Sequence, residues 1–92
     1  MKEDKMSEYL LKSSEKLTVE QIVARNVRAE AARYDLSNEE LGKILNKSKT
    51  ALHSRLVGDV EFRTSELVAL ADAMGIEVID FFAGTSRRAV AA

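Results

Sequence analysis

The chain has no cysteine, no proline and a single histidine. Without cysteine there is no disulfide framework and no thiolate ligand or nucleophile. One histidine, His53, cannot build a multi-histidine metal centre. Four glycines and no proline in 92 residues leave little turn chemistry, which favours helices with short connections over a turn-rich β sandwich. The longest apolar runs are four or five residues, far short of the roughly 20 that cross a bilayer. The start, Met1-Lys2-Glu3-Asp4-Lys5, leads into no apolar h-region and does not read as a secretory signal. An excess of charge of one sign is also missing. Fourteen basic residues face fifteen acidic ones, for a net charge of −1. Taken alone, that total disfavours nucleic acid, whose binders carry a basic balance. A single domain with one small core is expected, in a soluble cytoplasmic protein, and a chain of this size buries roughly 60–65% of its surface on folding.

What is present is a series of helix signals. Residues 1–17 are mostly charged, with one apolar patch at Tyr9-Leu10-Leu11, and read as an arm. Thr18-Val19-Glu20-Gln21 has the form of a capping box, with Leu17 and Ile22 at the staple positions. The helix it opens is expected to run to about Tyr34. Val19, Val23, Val27, Ala31 and Tyr34 recur at spacings of four and three, which predicts one buried face. Ser37-Asn38-Glu39-Glu40 is a second capping box, opening a short helix from Asn38 to Leu45 that buries Leu41, Ile44 and Leu45. Ser48 is the expected cap of a third helix, from Lys49 to about Val57, with Leu52 and Leu56 inward and Gly58 as a left-handed terminator. Thr64 is the expected cap of a fourth helix, with Leu67, Leu70, Ala71 and Met74 as its apolar stripe and Gly75 as its end. Glu77 to Phe82 predicts a fifth short helix. Its Ile76-Glu77-Val78-Ile79 run makes a strand the rival assignment. The domain is expected over 18–84, with 85–92 as a tail.

Two short helices joined by a turn of a few residues form a helix-turn-helix arrangement. The second of them turns Ala51, Leu52 and Leu56 inward and Lys49, Thr50, His53 and Ser54 outward. Donor-bearing side chains of this size reach base edges when a helix lies in the major groove. From Leu41 to Gly58 there are Lys43, Lys47, Lys49, Arg55 and His53 but no Asp or Glu. Sorting the charge by position thus reverses the inference from the total. Residues 21–63 carry eight basic and six acidic residues, while both flanking segments are net acidic. The first N–H groups of each short helix, at Asn38 and Lys49, are natural phosphate ligands.

The pattern Leu36-Ser37-x-x-Glu40-Leu41-Gly42-x-x-Leu45-x-x-Ser48-x-x-x-Leu52-x-x-Arg55-Leu56-x-Gly58, followed by Glu66-Leu67-x-x-Leu70-Ala71-x-x-Met74-Gly75-Ile76, resembles the lambda-repressor-like helix-turn-helix family (Cro/repressor or XRE type). Arg55-Leu56-x-Gly58 and Phe62-x-x-x-Glu66-Leu67 look like the variant common in actinobacteria and their phages. The likeness spans residues 22–83. It implies an all-α, five-helix bundle, usually a homodimer, that binds operator DNA and regulates transcription, mostly as a repressor, without cofactor or metal. Carried over residue by residue, Lys49, Thr50, His53 and Ser54 face bases. Asn38, Lys43, Lys47, Ser48, Arg55 and Arg63 are the phosphate candidates. The chain departs from the family in three places. Gly42 stands where alanine is usual. Ala31 and Leu56 occupy the positions of a frequent arginine–glutamate pair. The recognition helix also lacks the glutamine or asparagine that commonly reads adenine.

A rival reading keeps this fold as a protein-interaction module, an antitoxin or phage adaptor, working through residues 1–17 and the Phe81-Phe82 end. Adjacent phenylalanines cannot both face inward on one helix, so one of Phe81 and Phe82 is left for an interface, such as that of the homodimer. Arg87-Arg88 reads as tail, with a groove-reaching arm as its functional alternative. No catalytic set can be assembled around His53, and no Gly-rich phosphate loop is present, so the chain does not read as an enzyme.

Overall fold

Each of the first three helices starts where a polar side chain closes its first turn. In the computed structural model, which describes residues 17–86, these are α1 (Val19–Arg33), α2 (Asn38–Leu45) and α3 (Lys49–Leu56). The Thr18 hydroxyl accepts from the Gln21 N–H at 3.1 Å, and Gln21 returns the bond to the Thr18 N–H at 3.0 Å. Ser37 and Glu40 close the same reciprocal pair at 3.1 and 2.9 Å. Ser48 accepts from the Ala51 N–H at 3.2 Å. The fourth helix, α4 (Thr64–Met74), corrects the expected start by one residue. Its cap is Arg63, not Thr64, because the Glu66 carboxylate reaches back to the Arg63 N–H at 2.9 Å. A 3-10 helix (Val78–Phe82) takes the place of the expected fifth helix. No strand occurs among the described residues. Residues 1–16, most of the expected arm, and residues 87–92, with Arg87-Arg88, lie outside the described residues.

Helices α1 to α4 end the same way. The residue beyond each last turn is left-handed: Asp35 (φ 57°), Asn46 (φ 54°), Gly58 (φ 84°) and Gly75 (φ 71°). In each case the next N–H closes back five residues, as in Leu36 to Ala31 O, Lys47 to Gly42 O, Asp59 to Ser54 O and Ile76 to Ala71 O. This satisfies carbonyls that the helix leaves without partners. Gly58 carries a second constraint. A β-carbon there would lie 2.8 Å from the Cα of Gln21, so the backbone after α3 passes directly against α1.

The core is one cluster. Val23, Val27 and Ala31 of α1 meet Leu41 of α2, Leu52 and Leu56 of α3, Leu67, Leu70, Ala71 and Met74 of α4, and Phe62 and Phe81. Helix α1 packs on both α3 and the 3-10 helix, while α2 packs on α3 and α4. That double packing explains where the α1 face differs from its simple period. Ile22 and Ala24 are buried, whereas Val19 and Tyr34 are 42% and 44% exposed. The two phenylalanines divide as their adjacency requires: Phe81 is fully buried and Phe82 is 37% exposed. Asn26 of α1 ties this end down, its amide donating to Phe81 O at 2.8 Å and Ala83 O at 2.9 Å. No described helix is long and apolar enough to cross a membrane.

Candidate nucleic-acid interface

Three residues, Asn46-Lys47-Ser48, separate α2 from α3. The left-handed Asn46 reverses the chain without a glycine, and Ser48 restarts the helix at once. Between the two helices lies a groove of about 890 Å³. Leu52 and Leu56 line it together with the polar and charged side chains of both helices. The structure brings six of the ten expected contact residues to this groove: Asn38, Lys43 and Lys47, with Lys49, Thr50 and His53 from α3. Lys43, Lys49, Thr50 and His53 are exposed. Among the described residues, Glu39 is the one carboxylate that lines it.

Ser48, Ser54, Arg55 and Arg63 do not line the groove. Ser48 spends its oxygen on the cap. The Ser54 hydroxyl donates back along its own helix, to Ala51 O at 3.1 Å and Thr50 O at 3.3 Å. Arg63 is exposed, at the start of α4. Arg55 is turned inward and part of its charge is already matched. Its Nε donates to Glu66 Oε1 at 3.1 Å, and its guanidinium also donates to Ala51 O at 3.1 Å.

Glu66, in the first turn of α4, is the hub of this side of the site. It is a buried carboxylate, and three donors converge on it. The Arg63 N–H and Arg55 Nε share Oε1, and the Lys47 amine lies 3.1 Å from Oε2. Lys47 thus leans from the α2–α3 turn across to α4. Burial pushes the Glu66 carboxyl up, but the backbone N–H of Arg63 and the hydrogen bonds from Lys47 and Arg55 outweigh it and hold the group below its ordinary value. Charge-assisted bonds of this kind keep a buried carboxylate ionised. Glu40 is also held low, first by the Ser37 N–H and then by the Ser37 hydroxyl, so the α2 cap keeps its charge.

At the other end of α3 the Arg28 guanidinium of α1 donates to the Leu56 carbonyl. A cation there satisfies a terminal carbonyl and opposes the helix dipole. The contact follows from the tertiary approach of α1, and no local spacing signals it. Leu56 and Ala31 are both buried in the core cluster.

No three of the described His, Asp and Glu residues are grouped so as to hold a metal ion. No protein-family model, curated protein or solved structure matches the chain significantly.

Proposed function

We propose that the chain is a sequence-specific DNA-binding regulator of transcription, a repressor by preference, with α2 and α3 as a helix-turn-helix and α3 as the helix that enters the major groove. The observation that carries this reading is the face of the α2–α3 pair. Leu52 and Leu56 anchor α3 in the core, while Lys49, Thr50 and His53 stand exposed along a groove that also holds Asn38 and Lys43. An apolar anchor with a donor-rich outer face is what a major-groove helix needs. The α2 and α3 N-termini, held by Ser37 and Ser48, offer N–H groups to phosphates on either side. Lys49, Thr50, His53 and Ser54 are the base-contacting set. Asn38, Lys43, Ser48 and Arg63 are the phosphate-contacting set. Lys47 and Arg55, candidates for the same role by sequence, are paired with Glu66. The bundle acts as a homodimer on a two-fold operator, with exposed Phe82 at its interface. No chemistry and no cofactor are required.

The test is binding to duplexes selected from a random library, followed by titration with salt. Affinity should fall steeply between about 50 and 200 mM salt as counterions are recaptured. A flat profile would show that phosphates are not contacted and would favour the protein-interaction reading.

A further inference from the structure

Lys47 lines the same groove as Lys43, Lys49 and His53, yet its amine is drawn to a buried carboxylate on another helix. Side-chain exposure at the pair is 27% for Lys47 and 8% for Glu66, so the bond is shielded from solvent mainly on the carboxylate side. Lys43 and Lys49 carry no such partner among the described residues. One element of the turn is thus electrically spent in the free protein, while its neighbours are not.

We infer that Glu66 is a positioning residue that withholds Lys47 from the phosphate backbone and thereby keeps sequence-independent binding weak. This rests on the DNA-binding reading above. Non-specific affinity scales with the number of phosphates neutralised by cations. A cation committed to Glu66 adds nothing to that number, but it fixes the turn that sets α3 against α2. Specific binding keeps its geometry, and non-specific binding loses a charge. The chain's near-neutral balance and its acid-free 41–58 segment are thus reconciled.

Glu66→Gln isolates the effect. The amide oxygen still accepts from Arg63 and Arg55, so α4 keeps its start, but an NH2 group now faces Lys47. In salt titrations on a selected duplex, Lys43→Ala should flatten the logarithmic slope by about 0.9, the loss of one phosphate contact. Lys47→Ala should leave the slope unchanged. Glu66→Gln should steepen it by about 0.9, so that its advantage over the unsubstituted protein on unrelated duplex grows about three- to fourfold as salt falls from about 200 to 50 mM. A slope flattened by Lys47→Ala as much as by Lys43→Ala overturns the inference. A second measurement stands apart from DNA. Amine acylation followed by mass spectrometry should label Lys47 about tenfold more slowly than Lys43 in the unsubstituted protein, with the gap closing in Glu66→Gln, as a charge-assisted bond implies. If no duplex is bound at all, the DNA reading fails, and the labelling alone decides whether Glu66 holds Lys47. Equal labelling in both proteins overturns it.

Discussion

The two ends of α3 are held by different physics. Its start is polar and shallow: a serine cap, a left-handed asparagine, and Lys47 leaning to Glu66. Its end is close-packed: Gly58 lies against the backbone of Gln21, and Arg28 of α1 takes the last-turn carbonyl of Leu56. The contrast teaches how a short helix can be rigid and still adaptable. Eight residues are too few to hold a helix on their own. Packing at one end fixes the axis of α3, and polar groups at the other end set the chemistry it presents. Sequence changes are therefore costliest at Leu56 and Gly58, and at the start of α3 their cost is that of the polar bonds they remove.

The largest break in that comparison should come from Gly58→Ala. A left-handed alanine costs about 1–2 kcal/mol, and forcing a methyl against Gln21 adds about 1–3 kcal/mol. Urea denaturation should show the sum, and a loss near zero would erase the distinction between the two ends. Next in size is acid. The folded Glu66 carboxyl sits below its unfolded value, so its contribution is full above the ordinary carboxylate range and is lost as pH falls through the folded value. About 1–3 kcal/mol is at stake for hydrogen bonds to a charged group. Stability measured against pH should drop more steeply in the unsubstituted protein than in Glu66→Gln, and parallel curves would dismiss the network.

Ser48→Ala should cost about 1 kcal/mol, the usual value of an N-cap, and should fray the start of α3 in amide exchange while leaving its end protected. Equal loss of protection at both ends would mean that α3 is one undivided unit. The smallest effect is expected at Gly42. Alanine there regains up to about 1 kcal/mol of helix propensity. Its methyl, however, would sit 3.3 Å from the Lys47 carbonyl, which has little freedom because Lys47 closes the turn. The two terms nearly cancel, so a midpoint shift of more than a few degrees would show that the turn yields more, or less, than its hydrogen bonds imply.

Much of this architecture is legible from short-range signals. Capping at Thr18, Ser37 and Ser48 and the terminating role of Gly58 and Gly75 depend on residues within one turn, and each is where its spacing places it. Of the outward set of α3, Lys49, Thr50 and His53 follow from helical period, while Ser54 is half-buried and bonds back to its own helix. What escapes is tertiary. Val19 and Tyr34 fit the α1 stripe but sit at its two ends and stay exposed, while Ile22 and Ala24, off the stripe, are buried. Thr64 looks like a cap until Glu66 is seen to take the Arg63 N–H instead. Glu66, Asn26 and Arg28 find their partners across 11 to 57 residues of chain, where no local pattern speaks. The same distance explains why Lys47 and Arg55 read as free cations in sequence and are paired in three dimensions.

The central claim is that the exposed face of α3 reads a DNA sequence. The direct measurement is selection of bound sites from a random duplex library, run in parallel on the unsubstituted chain and on a variant with Lys49, Thr50 and Ser54 all changed to alanine. All three changes lie outside the core cluster, so circular dichroism should be unchanged. The account predicts that the unsubstituted chain enriches a discrete site made of two-fold related half-sites, and that the triple variant enriches nothing. Survival of the same site preference in the variant would contradict it.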